Sequence, residues 1–271
     1  MNQLAPRSRR LFLADLGRGT VALAVLGIAA CGPAGSRASA TASGSAPGSS
    51  AAPSDGSPGP SDSGSAGPSA PASAAAGGTT WERVNLGFVS AYVLVRGSEA
   101  AVVDTGTPGS EGDIASALQR IGLGWDAVGH VIVTHLHNDH AGGLPAVLEA
   151  APDAAGYAGP EDLAGIVSPR PLVAVADGEE VFGLTIISTP GHTPGHIAVL
   201  DAVGGILVAG DALGTNGGAV SPPGAQFTAD MDTAMVSIGK LGKLQFETLL
   251  VGHGDPIEAG ASDLVAELAA S

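Results

Sequence analysis

The segment His135-Leu136-His137-Asn138-Asp139-His140 places three imidazoles and a carboxylate within six positions, directly after the apolar run Val131-Ile132-Val133-Thr134. Packing gives no reason to crowd four such groups together, whereas a metal ion needs several nitrogen and oxygen donors converging on one point. All seven histidines lie in the second part of the chain, at positions 130, 135, 137, 140, 192, 196 and 253. Four candidate ligands each follow a strand-like apolar run: His135 after "VIVT", His192 after "TIISTPG", Asp211 after "GILVAG" and His253 after "TLLVG". Strand ends are where sites assemble in α/β sheets.

Residues two apart on an extended segment project to the same side, so His135 and His137 can reach one ion. His192 can complete a three-nitrogen set. Asp139, His140 and His253 then remain for a second ion, with the Asp211 carboxylate between the two. The only cysteine is Cys31, far from these residues, so any metal here is held by nitrogen and oxygen. That donor set suits zinc best, with iron or manganese as alternatives. Two divalent ions about 3.5–4 Å apart would share a hydroxide nucleophile near neutral pH. Asp139 is the right type of group to orient it and to pass a proton to the leaving group. His196 opens the next apolar run and reads as a packing residue or as support for a ligand. His130, ahead of "VIVT", reads as structural. Asp104, in "VVDTG", is either an N-cap-like loop residue or a carboxylate that orients a ligand histidine.

The elements that must position these groups come in two successive halves. Strand-like "RVNLGFVSAYVLVRG" and "AAVVDTG" are followed by helix-like "EGDIASALQRIG", the strand "VGHVIVT" and helix-like "GGLPAVLEAA". The second half runs through "EVFGLTIIST", "HIAVLDAVGGILVAGD", helical "ADMDTAMVSIGKL", the strand "TLLVG" and a last helix "SDLVAELAA". Short apolar runs bounded by Gly or Pro favour strands, and longer 3.6-period segments favour helices. Two such halves predict two packed sheets with helices on the outer faces.

Ahead of this domain, residues 1–31 hold clustered arginines, the apolar stretch Val21–Ala30 and then Cys31, which is the order of an export signal. The apolar stretch is about half of the roughly 20 residues that a membrane-spanning helix requires. Arg9 and Arg10 resemble a twin-arginine signal, and "IAAC" resembles a lipobox whose cysteine, Cys31, becomes lipidated. The expectation is an exported protein, lipid-anchored outside the cytoplasmic membrane. Residues 32–78 are nearly all Ala, Ser, Gly and Pro, without one Val, Leu, Ile or aromatic residue, and read as a flexible tether. Residues 79–271 form the catalytic domain, with 6 Lys+Arg against 23 Asp+Glu, a formal charge of −17. A field of that sign repels phosphate backbones, so nucleic acid is excluded as a partner and a small-molecule substrate is expected.

"THLHNDHAGG" (134–143), "TPGHTPGH" (189–196), "VAGDAL" (208–213) and "VGHGDP" (251–256) resemble, in order and spacing, the signature motifs of the metallo-β-lactamase-fold hydrolases. The resemblance covers most of residues 84–256. It implies an αββα sandwich of two mixed β-sheets with helices on both outer faces. It also implies a dinuclear site, with His135, His137 and His192 on one ion, Asp139, His140 and His253 on the other, and Asp211 bridging. Within it Asp104 supports the metal loop, and His192 is preferred over His196. The implied reaction is attack of a metal-bridging hydroxide on an ester, lactone, thioester or amide.

Departures from subfamily patterns narrow this. True metallo-β-lactamases generally lack the bridging carboxylate that Asp211 supplies, so weak β-lactam hydrolysis is expected. Glyoxalase II-like enzymes add a carboxy-terminal helical region that grips glutathione, yet only 18 residues follow His253. Acyl-homoserine lactonases commonly place a tyrosine shortly after the bridging aspartate, where this chain has "DALGTNGG"; its tyrosines are Tyr92 and Tyr157. Ribonucleases of the fold need a basic exosite, which the charge of −17 opposes. Two readings of other classes remain: a mononuclear iron dioxygenase acting on persulfides, and a metal-binding lipoprotein without turnover. Phe88 in "GFVS" and Phe227 in "AVSPPGAQF" either flank the metals as apolar walls or are ordinary loop residues.

Overall fold

The computed structural model describes residues 78–271. The export signal, Cys31 and the tether as far as residue 77 lie outside the described residues. The first sheet has the spatial order β1 (Thr80–Asn85), β2 (Ser90–Arg96), β3 (Glu99–Val103), β4 (Val128–Ile132), β5 (Ala155–Ala158) and β6 (Val173–Ala174). Its first three strands pair antiparallel and the rest parallel. Helix α1 (Glu111–Arg120) lies between β3 and β4 in the chain; α2 (Asn138–Ala141) and α3 (Leu144–Ala150) lie between β4 and β5.

The second sheet is built from β7 (Glu180–Val181), β8 (Leu184–Ser188), β9 (Ile197–Asp201) and β10 (Ile206–Gly210). A small separate hairpin follows, β11 (Gly214–Asn216) with β12 (Ala219–Ser221), then α4 (Met231–Leu241), β13 (Thr248–Val251) and α5 (Ala261–Ala270). Strand β13 pairs parallel with β10, giving the order β13-β10-β9-β8-β7. Both sheets are therefore mixed. Among the described residues no helix is long and apolar enough to cross a membrane.

Alternation along the strands produces three apolar layers. In β3, Ala100 and Val102 face α1 and α3, while Ala101 and Val103 face the second sheet. In β9, Ile197 and Val199 point into the inter-sheet layer, and Ala198 and Leu200 point outward to α4 and α5. Helix α1 answers with Ile114, Ala117 and Leu118, spaced three and four apart on one face. Each fully buried Leu or Ile contributes about 1.5–3 kcal/mol. The result is the expected helix–sheet–sheet–helix sandwich.

One predicted strand divides. "EVFGLTIIST" contains a tight reversal between β7 and β8, with Phe182 and Gly183 at φ 57° and 68°. Two polar ties fix the sheets against each other. The buried Tyr92 hydroxyl donates to the Val251 carbonyl (2.8 Å), and the Arg96 guanidinium reaches Asp201 on β9 (3.1 Å). Strand ends from both sheets are thus held in register along one edge of the sandwich, where the histidines lie.

Candidate metal centre

Every predicted ligand arrives at that edge from the end of a strand. His135 and His137 occupy the loop after β4, Asp139 and His140 the short α2, and His192 the turn after β8. Asp211 immediately follows β10, and His253 is two residues beyond β13. His137 Nδ1 stands 3.1 Å from His135 Nε2 and 2.9 Å from His192 Nε2, forming one nitrogen triangle. Asp139 Oδ2 stands 3.3 Å from His253 Nε2 and 3.8 Å from His140 Nε2, forming a second cluster. Asp211 touches both. Its Oδ1 is 3.2 Å from His140 Nε2, and its Oδ2 is 3.3 Å from His192 Nε2 and 3.2 Å from His253 Nε2. Each of the triads His135/His137/His192, His135/His140/Asp211 and Asp139/His140/His253 converges closely enough for its donor atoms to share an ion.

Hydrogen bonds on the far side of the rings set which nitrogen faces inward. Asp104 accepts from His140 Nδ1 (2.7 Å) and, with both oxygens, from the Thr134 hydroxyl. Having committed its only proton to Asp104, that hydroxyl must accept from His135 Nδ1 (3.0 Å). One buried carboxylate thus turns two Nε2 lone pairs toward the site, which decides its role in favour of orienting ligands. Asp104 is held at φ 62°, a strained conformation for a residue with a side chain, as is common where function fixes the backbone. His192 Nδ1 leans on Thr228 Oγ1 (3.3 Å), and His253 Nδ1 donates to the Phe88 carbonyl (2.6 Å). Replacing Asp104 by Asn is expected to weaken metal binding about 10–100-fold, because the amide has one acceptor oxygen where the carboxylate uses two, Oδ2 for His140 Nδ1 and Oδ1 for the Thr134 N–H. Competition with a chromogenic chelator measures this.

The centre suits a divalent cation on its own chemistry. His140 Nε2 and Asp211 Oδ1 are buried side-chain atoms without a hydrogen-bond partner, and they face each other. With Nδ1–H committed to Asp104, two lone pairs oppose one another unless a proton or a metal lies between them. Gly252 forms the wall beside them, where a Cβ would overlap Asp211 Oδ1 and the His140 ring. In the absence of metal, protons take this role. Burial alone would depress His140, but Asp104 and Asp211 outweigh it and hold the imidazole well above its ordinary value. Hydrogen bonds to Asp139 and Asp211 raise His253 to about 10. Burial keeps His135 well below its ordinary value and lowers His192 to about 4, so these two are already neutral at pH 7. Loading with a divalent metal should therefore expel protons from His140 and His253, and affinity should rise with pH. Calorimetry in buffers of differing ionisation enthalpy counts them.

His196 is buried with both nitrogens engaged. Nε2 accepts from the Asp211 backbone N–H (3.1 Å) and Nδ1 meets Thr189 Oγ1 (2.7 Å), so it positions Asp211 and has no lone pair to offer. Burial lowers it to about 3. His130 sits on β4 against Tyr157 and Phe182, away from the centre.

Asp162 escapes the sequence pattern. This fully buried carboxylate accepts from the Leu136 N–H (3.0 Å), the Gly195 N–H (2.8 Å) and the Thr193 hydroxyl (2.5 Å). It clamps the loop of His135 and His137 to the loop of His192. The available signal is position: Asp162 lies just past the end of β5, as the ligands lie past theirs.

Over the centre opens a cavity of about 1320 Å³, with His137, Asp139, His192, Asp211 and His253 at its floor. Both Phe88 and Phe227 line it, and each is 65% exposed, so they are walls rather than buried loop anchors.

A family model described as the metallo-beta-lactamase superfamily matches residues 84–253. Among curated proteins the chain is similar to a probable metallo-hydrolase, YflN, of Bacillus subtilis (strain 168), with 34% identity over 58% of this chain and 75% of that protein. It is also similar to a hydroxyacylglutathione hydrolase of Gloeobacter violaceus, with 38% identity over 58% of this chain, and spans only 60% of that protein's length. A crystal structure of a metallo-beta-lactamase family protein from Thermus thermophilus superposes with a TM-score of 0.58 at 25% identity, covering 71% of this chain and 78% of that one. With the family match extending from β1 to the last histidine, over the sandwich and motifs described above, the chain belongs to the metallo-beta-lactamase superfamily.

Proposed function

We propose that the chain is a metal-dependent hydrolase holding two divalent ions, zinc in the first instance, and cleaving an ester, lactone, thioester or amide of a small molecule. The observation that carries this is the Asp211 carboxylate, in contact with ligands of both clusters and buried beside the unpartnered His140 Nε2. His135, His137 and His192 would hold one ion, Asp139, His140 and His253 the other, and Asp211 both. When bound, such a pair supplies an activated water and polarises the carbonyl under attack. Asp139, held by His253 and lining the cavity, orients the attacking water and returns a proton to the leaving group. Asp104, Asp162 and His196 keep the ligands in place. Likeness to YflN and to the Gloeobacter enzyme supports hydrolysis without naming the substrate.

Elemental analysis of the purified chain, read with a panel of chromogenic esters, lactones, thioesters and a β-lactam, tests the reading. Two zinc-like ions with ester or lactone turnover are expected. One iron with oxygen uptake would replace it with the persulfide dioxygenase, and metal without turnover would leave a binding protein. We further propose export and lipid anchoring through Cys31, supported by the order of arginines, apolar stretch and cysteine. Cys31→Ala should move the protein from the membrane to the soluble fraction on immunoblots, and persistence on the membrane would refute the anchor.

A further inference from the structure

The cavity over the centre is more apolar than polar, and no lysine or arginine is among its lining residues. Phe88, Leu136, Leu213, Pro222, Pro223 and Phe227 are among its walls. Six lysines and arginines follow residue 78, and none lines the cavity. Their places are elsewhere. Arg83 is paired with Asp255 and bound to the Gly254 carbonyl, Arg96 with Asp201, and Arg120 with Glu82. Arg170 donates to the carbonyls of Leu148, Ala151 and Ala154. Lys240 pairs with Asp177, and with Lys243 it borders a groove between α4 and α5 on the outer face of the second sheet.

A substrate carrying a free carboxylate or phosphate away from its scissile bond would therefore lose hydration here without gaining a counter-charge. It would also approach against the field of a domain of charge −17. An alkyl or aryl chain, by contrast, gains about 0.8 kcal/mol for each methylene it buries. The volume, about 1320 Å³, exceeds the roughly 300–1,000 Å³ that suffices for drug-sized ligands, so it admits a long chain.

Resting on the hydrolase reading above, we infer that this cavity selects neutral ligands with a long apolar chain, so that the substrates are uncharged carboxylic esters or lactones. In the reaction the oxygen of water bonds to the acyl carbon, and the bond from that carbon to the alkoxy oxygen breaks. The alkoxy oxygen takes up a proton, giving an alcohol and a carboxylic acid. The acid ionises at neutral pH, and no lysine or arginine lines the walls to pair with a charge on the chain. Glutathione thioesters, with their two free carboxylates, fit the cavity poorly for the same reason.

The test compares p-nitrophenyl octanoate with mono-p-nitrophenyl suberate, the same chain length ending in a carboxylate, on the zinc-loaded full chain. The neutral ester should be favoured at least about 30-fold in kcat/KM, and 1 M salt should raise the rate on the charged ester more than on the neutral one. Phe227→Ala should lower the octanoyl-to-acetyl preference about fivefold. Phe227→Arg should raise kcat/KM on the suberate ester. Calorimetric binding of 2-decanone against 9-oxodecanoate gives a readout free of turnover, and the ketone should bind more tightly. Equal or better turnover of the suberate ester, or tighter binding of the keto acid, would overturn the inference while leaving a hydrolase. Preferential ketone binding with no ester cleaved would remove the hydrolase reading and support the selectivity.

Discussion

Asp211→Ala is expected to reduce ester hydrolysis by about 10³-fold or more and to leave the purified chain with at most one tightly held ion. The carboxylate is in contact with ligands of both clusters: His140 and His253 of one, His192 of the other. On the two-ion reading, its removal would take away the negative charge between the cations and leave Asp139 as the remaining carboxylate among the ligands. Burial would raise this carboxyl, but His140 and the other imidazoles hold it well below the ordinary carboxylate range, so it stays anionic throughout the working pH range. Asp211→Asn separates charge from shape. If the amide retained two ions and normal kcat, the charge argument would be wrong even with the fold intact, which circular dichroism would verify.

Asp162→Ala should be nearly as damaging without touching a metal. Three donors, two backbone N–H groups and a hydroxyl, converge on this carboxylate, and its loss leaves them unpaired, the Gly195 N–H and Thr193 hydroxyl buried and the Leu136 N–H partly so. Each orphaned donor costs about 1–3 kcal/mol, so a loss of roughly 3–5 kcal/mol is expected in urea unfolding, a large share of a single domain's stability. Because the clamp joins the two loops that make the nitrogen triangle, zinc affinity should fall as well. Asp162→Asn should recover part of the stability, since its carbonyl still accepts, but its NH₂ meets a donor where the second oxygen stood. An unfolding midpoint and zinc affinity both unchanged in Asp162→Ala would show that the loops are held independently.

The legibility of this site follows from how each residue comes to its place. His135, His137, Asp139 and His140 crowd one segment, and their density alone announces a metal. His192 and His196 differ only in whether a nitrogen is free, which depends on the Asp211 N–H and Thr189, partners brought in by the fold. His192 is favoured by its place at a strand end, and the motif resemblance narrows the choice further. Asp162 is hard to find in the sequence because β5, "AGYA", has no β-branched residue to mark it as a strand, so its position past a strand end stands out only once the fold is known. In the fold, the short unbroken apolar runs of β3, β9 and β10 mark strands buried on both faces, as a layered sandwich requires. The β7–β8 reversal is not, because Phe182-Gly183 lies within one unbroken apolar run. The β11–β12 hairpin turns at Gly217-Gly218, both with positive φ, a Gly-Gly signal present in "DALGTNGG" but overshadowed there by the missing tyrosine.

The turn between β1 and β2 binds two properties of the protein into one. Its Phe88 ring forms a cavity wall, while the carbonyl of the same residue receives the His253 Nδ1 proton. The neighbouring Ser90 N–H is fastened to Gly252 on the same loop as that histidine (2.9 Å). Any insertion that reshapes this rim to admit a different acyl group will also swing His253, so appetite for a new substrate and grip on the cation must change together. The opposite rim, around Phe227, is tied to a ligand as well: Thr228 Oγ1 meets His192 Nδ1 (3.3 Å) and the Ala229 N–H donates to the His192 carbonyl (3.1 Å), so neither wall can be redrawn without moving a histidine.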